Sequence, residues 1–262
     1  MLRRIYAMFL RQIFLIRQSP PRILFYIFWP VLFMLTWGFM NKFLYQQVNT
    51  TLFTLSTILG ANLLVTMMER SNINTMMGFL EDVWSRNIGN IFISPIRMSE
   101  FITGLILNGF IGMCIGVGST IFLAYLLFDY NLFTLGSAIA GLSLNLLLTG
   151  WGVSLLIISV IFRYGMGGEM VGWMLAFVIT PFICVYYPAS VLPAPLQAIA
   201  WNLPPTYVFE GLRELIKTGT FNWDLFYAGL WRNLAFFALA ISIFIYALNK
   251  ARQRGGLLSM SE

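Results

Sequence analysis

Six long tracts of this chain hold no charged residue: 23 to 41, 43 to 68, 101 to 128, 130 to 162, 170 to 209 and 233 to 249. A helix crossing the ~30 Å hydrocarbon layer of a bilayer needs about 20 apolar residues. Charges gathered so unevenly do not suit a water-soluble surface, and only 10% of the 262 residues are charged, against roughly 25% in an ordinary soluble domain. The tracts predict an all-α membrane protein of one domain, residues 1–262, with six transmembrane helices at 23 to 41, 51 to 68, 101 to 127, 136 to 162, 170 to 187 and 226 to 248. No repeat, linker or low-complexity tract divides it.

The first 18 residues read differently. Leu2, Ile5, Phe9, Ile13 and Ile16 recur at helical spacing while Arg4, Arg11 and Gln18 share the other face, which predicts an interfacial amphipathic helix over 1–19. Ser19, Pro20 and Pro21 end it. Arginines recurring to position 22 speak against a cleaved signal peptide. Six spans put both termini on one side. Twelve of the 16 basic residues fall there and Lys42, Arg213, Lys217 and Arg232 opposite, so the positive-inside rule places both termini in the cytoplasm and the chain in the cytoplasmic (inner) membrane.

Composition narrows the chemistry. The chain has no histidine, hence no usual general base and no commonest metal ligand. Cys114 and Cys184 lie in apolar tracts without a C-x-x-C pair, so no metal site is expected. The net charge of +6 comes from scattered arginines without a nucleic-acid-reading motif, and no nucleic-acid partner is expected. No lysine follows a glycine, so the chain lacks a phosphate-binding loop and binds no nucleotide cofactor of that kind itself.

Two segments carry most of the information. Residues 69–100 form the longest polar excursion on the terminal side, and a short helix is expected over 76 to 87. Glu81, Asp82, Arg86 and Asn87 offer charge and hydrogen bonds, and Trp84 an apolar face. Such a helix suits docking on another protein, or resting on lipid headgroups. On the other side, five prolines between Pro188 and Pro205 rule out a second continuous helix in the fifth tract. The backbone groups they free cannot be left in lipid. A broken, re-entrant segment over 188–213 with a helical piece at Leu196 to Trp201 is expected.

The order of these parts resembles the ABC-2 type permeases of ATP-binding cassette exporters. It runs from an amino-terminal interfacial helix through two spans and a glutamate-containing loop helix, followed by Ser94-Pro95 and Ser99-Glu100, to four more spans. The likeness extends to Tyr187-Pro188, Leu192-Pro193, Pro204-Pro205-Thr206-Tyr207 and Glu210-x-x-Arg213. The resemblance implies a transport subunit that is not an enzyme and exports an amphiphilic, lipid-linked or drug-like substrate. It implies a second permease copy as homodimer partner and a cytoplasmic ATPase subunit that holds ATP and Mg. The ATPase would grip Glu81, Asp82, Trp84, Arg86 and Asn87. Relatives with an Arg-Glu-x-Gly-Thr-x-Glu run differ from Gly78-Phe79-Leu80-Glu81-Asp82-Val83-Trp84 here, and the lipid-linked-sugar exporters, with Arg-Asn before their Ser/Ala-Pro step, match Arg86 and Asn87.

Within the spans, Gly104, Asn108, Gly112, Gly116 and Thr120, and likewise Ser137, Gly141, Asn145 and Thr149, recur at every fourth position. Small residues at that spacing predict close packing of spans three and four, with Thr120 near Asn145. Trp29, Phe33 and Trp37 form an aromatic stripe on span one that either lines a substrate path or fills helix interfaces and headgroup belts. Arg232 is the sole ionisable residue expected inside a span, and Arg163 lies close enough to pair with Glu169. An enzyme acting on a lipid carrier through Glu81, Asp82 and Arg86, and a channel or carrier independent of ATP, are the competing readings.

Overall fold

The computed structural model describes residues 2–18, 20–48, 52–94, 96–165 and 167–253. Among them the chain is helical throughout, without a β-strand. The helices are α1 (Leu2–Gln18), α2 (Pro20–Val48), α3 (Leu52–Trp84), α4 (Ile88–Ile93), α5 (Met98–Phe128), α6 (Ala138–Tyr164), α7 (Gly167–Val178), α8 (Ala194–Ala200), α9 (Pro204–Thr218) and α10 (Trp223–Gln253). Four of them contain stretches long and apolar enough to cross a membrane: Ile23–Phe43 within α2, and α5, α6 and α10.

α3 is the axis of the bundle, packed against α2 and α5 on one side and α6 on the other, with α10 behind α6. Two apolar cores surround it. One, at the end carrying the chain termini, centres on Phe79, Phe162 and Phe244, whose rings meet edge to face at 5.0 and 5.6 Å. The other, at the distal end, gathers Leu59, Leu63, Leu64, Val117, Leu146, Phe209 and Leu212.

The first part of the stretch 69–100 is not a separate element. α3 runs unbroken for 33 residues, about 50 Å, and the residues expected to form a separate helix at 76 to 87 are its last turns and cap. Met76, Phe79, Leu80 and Val83 are buried in the core at the terminal end. No proline interrupts α3, and its hydroxyls bond back along the helix, Ser71 to the Met68 carbonyl (2.9 Å) and Thr75 to that of Ser71 (2.7 Å). Such bonds let polar residues remain helical inside a bundle.

The fifth expected span is also changed. α7 has 12 residues, about 18 Å, and a 3-10 turn at Thr180–Ile183 follows. Pro181 has no N–H to give and crowds the preceding turn, so the helix stops. Beyond it lie another 3-10 turn (Ala189–Val191), α8 and α9. α8 covers most of the helical piece expected at Leu196 to Trp201.

α1 matches the expected first helix, although its buried residues are Met8, Gln12 and Ile16. Met8 fits against Gly104 of α5.

Candidate functional site

At the terminal end, α3 closes with a left-handed turn. Arg86 has φ 55°, its N–H donates to the Val83 carbonyl, and that of Asn87 donates to the Asp82 carbonyl, both at 2.9 Å. Paired bonds of this pattern form a Schellman cap, a position that usually takes glycine. The chain turns directly into the six-residue α4, with Asn87 as its N-cap. Trp84 is 47% exposed and Ile93 83%, and Arg86 and Asn90 stand exposed between them. Two large apolar side chains are thus exposed beside polar ones at this turn.

Asp82 does not belong to that surface. It is 2% exposed, and its Oδ1 accepts a hydrogen bond from Arg11 of α1. Glu81 is half-buried. Glu100 accepts from the Arg97 N–H (2.9 Å), capping α5, and lies 3.6 Å from Arg4. α1 is thus tied by ion pairs to the end of α3 and the start of α5. Pro95 lies outside the described residues.

At the distal end, α9 holds the broken segment in place. Arg213 donates to the carbonyls of Cys184, Val185 (3.0 Å) and Tyr187 (2.7 Å). Glu210 accepts from the Ala189 N–H (2.7 Å) and pairs with Arg213 at 3.1 Å. Tyr207 donates to the Trp201 carbonyl (2.8 Å) and stacks beneath the Arg232 guanidinium, 4.7 Å from its ring centre. Pro188 is the N-cap of the 3-10 turn at Ala189–Val191 and Leu192 its C-cap, while Pro193 precedes α8 and Pro204 begins α9.

Midway between these ends, α3 carries a polar belt that separates the two apolar cores. Arg70, Ser71, Asn72, Asn74 and Thr75 are all buried. A Cβ built on Gly116 of α5 would lie 3.4 Å from Arg70 Cγ, and one on Gly150 of α6 would clash with Ser71. Gly116 and Gly150 lie near the midpoints of α5 and α6, two of the helices able to cross a membrane. Glu69 and Arg70 are therefore level with the middle of those helices, deeper in the bundle than the end of the span expected at 51 to 68 suggests.

No family model matches the chain, and no curated protein gives a significant match.

The small-residue stripes serve other partners than expected. Gly112 faces Asn74 and Gly116 faces Arg70, Tyr26 and Pro30, so α5 packs on α3 and α2. Gly141 meets Phe226 of α10. Asn145 pairs with Asn233 of α10, whose Nδ2 donates to the Asn145 backbone carbonyl and to its Oδ1 (3.2 Å); Thr149 in turn donates to Asn233 Oδ1 (3.2 Å). Thr120 instead bonds its own helix at Val117 (2.8 Å). α3 occupies the place between α5 and α6 where the two stripes were expected to meet.

The aromatic stripe divides. Trp29 and Phe33 stack on each other at 6.2 Å and face outward, whereas Trp37 turns in and stacks on Tyr186 at 4.1 Å. Tyr186 also donates to Asn62 Oδ1 of α3 (3.3 Å). Among the described residues no ion pair joins Arg163 to Glu169, and no cluster of three acidic or thiol side chains is placed to hold a metal. The polar belt and Asn233 escaped the sequence reading. A polar residue at every fourth position in α3, Asn62, Thr66, Arg70 and Asn74, was the available signal.

Proposed function

We propose that this chain is the permease subunit of an ATP-binding cassette exporter of the ABC-2 type, moving an amphiphilic substrate out across the cytoplasmic membrane. Six segments sit in the membrane: α2, α3, α5, α6, α7 with the broken segment behind it, and α10. Both termini lie in the cytoplasm. Two copies of the chain form the pathway, and a separate ATPase supplies ATP and Mg chemistry.

The observation that carries this reading is the turn at the terminal end. It is short, joined rigidly to the central helix of the bundle, and exposes Trp84, Arg86, Asn90 and Ile93 together. A force applied there passes straight into α3. Asn87 supports the turn as the N-cap of α4. The Glu210 and Arg213 clamp gives a physical reason for the Glu-x-x-Arg pattern on which the resemblance partly rests.

Affinity purification of the chain from native membranes tests the reading. A P-loop ATPase is expected to co-purify, and the double variant Trp84→Ala, Ile93→Ala is expected to lose it while remaining folded. Recovery of no ATPase with the wild-type chain counts against the whole assignment.

A second reading, a carrier driven by an ion gradient, draws support from Glu69 at mid-depth, because intramembrane carboxylates often carry coupling ions. It requires transport in vesicles without any ATPase, abolished by Glu69→Gln and by a protonophore.

A further inference from the structure

Arg70 presents an unmet chemical demand. Its side chain is 3% exposed, at the level where α2, α3 and α5 meet, and its Nε and Nη1 have no hydrogen-bond partner. Glu69, its neighbour in sequence, interacts with its charge but gives these two nitrogens no hydrogen bond. Successive positions on a helix do not face each other, and no ion pair within 4.0 Å joins these two. One turn along α3, Asn74 is fully buried with both amide atoms unpartnered. Asn108 of α5 donates its Nδ2 to the Asn74 carbonyl (2.9 Å), and its Oδ1 is unpartnered. Lipid tails offer these groups nothing, and a buried polar group left without a hydrogen bond costs roughly 1–3 kcal/mol, more when it is charged.

We propose that Arg70 and Asn74 form a binding site for the oxyanion headgroup, phosphate or carboxylate, of an amphiphile passing between the leaflets. The guanidinium edge matches such a group with two parallel hydrogen bonds, and the Asn74 amide supplies a further donor one turn away. A free anion reaching this depth sheds its hydration with no compensation, whereas an amphiphile's tail remains in lipid throughout. α2 forms the cover: Pro30 lies inside it and packs beside Gly116, and a proline within a helix is a point where it bends. Calling the ligand cargo rests on the exporter reading. The binding does not, and it is measured on the purified permease without an ATPase, so failure of one is separable from failure of the other.

The test measures ligand binding to the full chain in detergent by native mass spectrometry, with dioleoyl phosphatidic acid, dioleoylglycerol, which has the same tails and no oxyanion, and inorganic phosphate as probes. The wild-type chain is expected to bind phosphatidic acid about tenfold more tightly than dioleoylglycerol, one charge-assisted contact's worth, and inorganic phosphate far more weakly. Arg70→Gln removes the preference, Arg70→Lys keeps part of it, and Arg252→Gln, on the exposed end of α10, leaves it intact. Asn74→Leu, which retains the charge, weakens it and serves if the arginine variants do not fold. Equal binding of both lipids by the wild type, an unchanged preference in Arg70→Gln, or equal loss in Arg252→Gln overturns the proposal. Inorganic phosphate binding as tightly as the lipid overturns the amphiphile as ligand.

Discussion

Arg213 lies 3.1 Å from Glu210, and the two share out the backbone of residues 184–189 between them. The cation takes the carbonyls of Cys184, Val185 and Tyr187, and the carboxylate takes the N–H of Ala189. A segment broken by Pro181 and Pro188 has peptide groups that no continuous helix serves. In apolar surroundings such groups must find partners within the protein. Three residues apart on α9, the two side chains face the same way and serve both polarities.

Arg213→Met is therefore expected to release the segment, at a cost of about 2–3 kcal/mol for the lost charge-assisted hydrogen bonds. Cys184 reports on it directly, being buried and free. In a Cys114→Ser background, a water-soluble maleimide should label Cys184 at least about tenfold faster in Arg213→Met than in the parent, as a 1.4 kcal/mol opening implies. Arg213→Lys should fall between them. A labelling rate unchanged from the parent means that something other than this clamp shields the thiol.

The glycines of α5 and α6 allow a sharper contrast. A Cβ at Gly109 would sit 2.8 Å from the Ser71 carbonyl and 1.9 Å from Thr75 Oγ1, and one at Gly150 would sit 2.6 Å from the Met68 carbonyl. Backbone cannot step aside as a side chain does, so Gly109→Ala and Gly150→Ala should each push a helix off α3 and cost about 1–3 kcal/mol. Gly118, about two and a half turns further along α5, has nothing within 4 Å of its built Cβ. Gly118→Ala should leave the thermal midpoint in detergent unchanged or slightly raised. Equal midpoints for all three variants would mean that close approach to α3 is not what these glycines serve.

These contacts show where sequence reasoning succeeds and where it stops. Charge-free tracts locate α2, α5, α6 and α10 well, because those helices meet lipid on at least one face and composition records it. They find the start of α3 but not its length, because it lies inside the bundle. There Glu69 and Arg70 face protein, and a span read up to the first charge ends 16 residues before the helix does. The stripes Gly112–Gly116 and Gly141–Asn145 are correctly seen as packing surfaces, yet periodicity does not name the partner, and α3 and α10 take the places assigned to each other's neighbours. The Glu210 and Arg213 pair is visible as a pattern; its work as a backbone clamp depends on how the prolines fold the chain. Asp82 looks like a surface acid because its partner Arg11 lies 71 residues away in sequence.

The buried Asn233 makes a prediction of a different kind. It joins α10 to α6 through Asn145 and Thr149. Interhelical hydrogen bonds in membranes contribute about 0.6–1.7 kcal/mol, so Asn233→Leu should lower the unfolding free energy by that modest amount, with Asn145 left unpaired. The double variant Asn233→Leu, Asn145→Leu should recover part of the loss, because no orphaned amide then remains. Denaturant titration of all three in mixed micelles measures it, and a strictly additive double variant argues that the two amides do not interact.

Arg86 allows folding and the proposed ATPase docking to be tested at one position. At φ 55° the residue occupies left-handed backbone that costs a non-glycine residue about 1 kcal/mol, while its side chain stands exposed beside Trp84. Arg86→Gly removes strain and guanidinium together: the variant should melt higher than wild type, by about 1 kcal/mol, yet lose ATPase co-purification. Arg86→Val keeps the strain and adds a β-branch, so it should melt lower and also lose the partner. Arg86→Lys should resemble wild type in both measurements if charge alone matters. Arg86→Gly retaining the ATPase at wild-type yield would leave the residue a structural cap and move the docking surface to Trp84, Asn90 and Ile93.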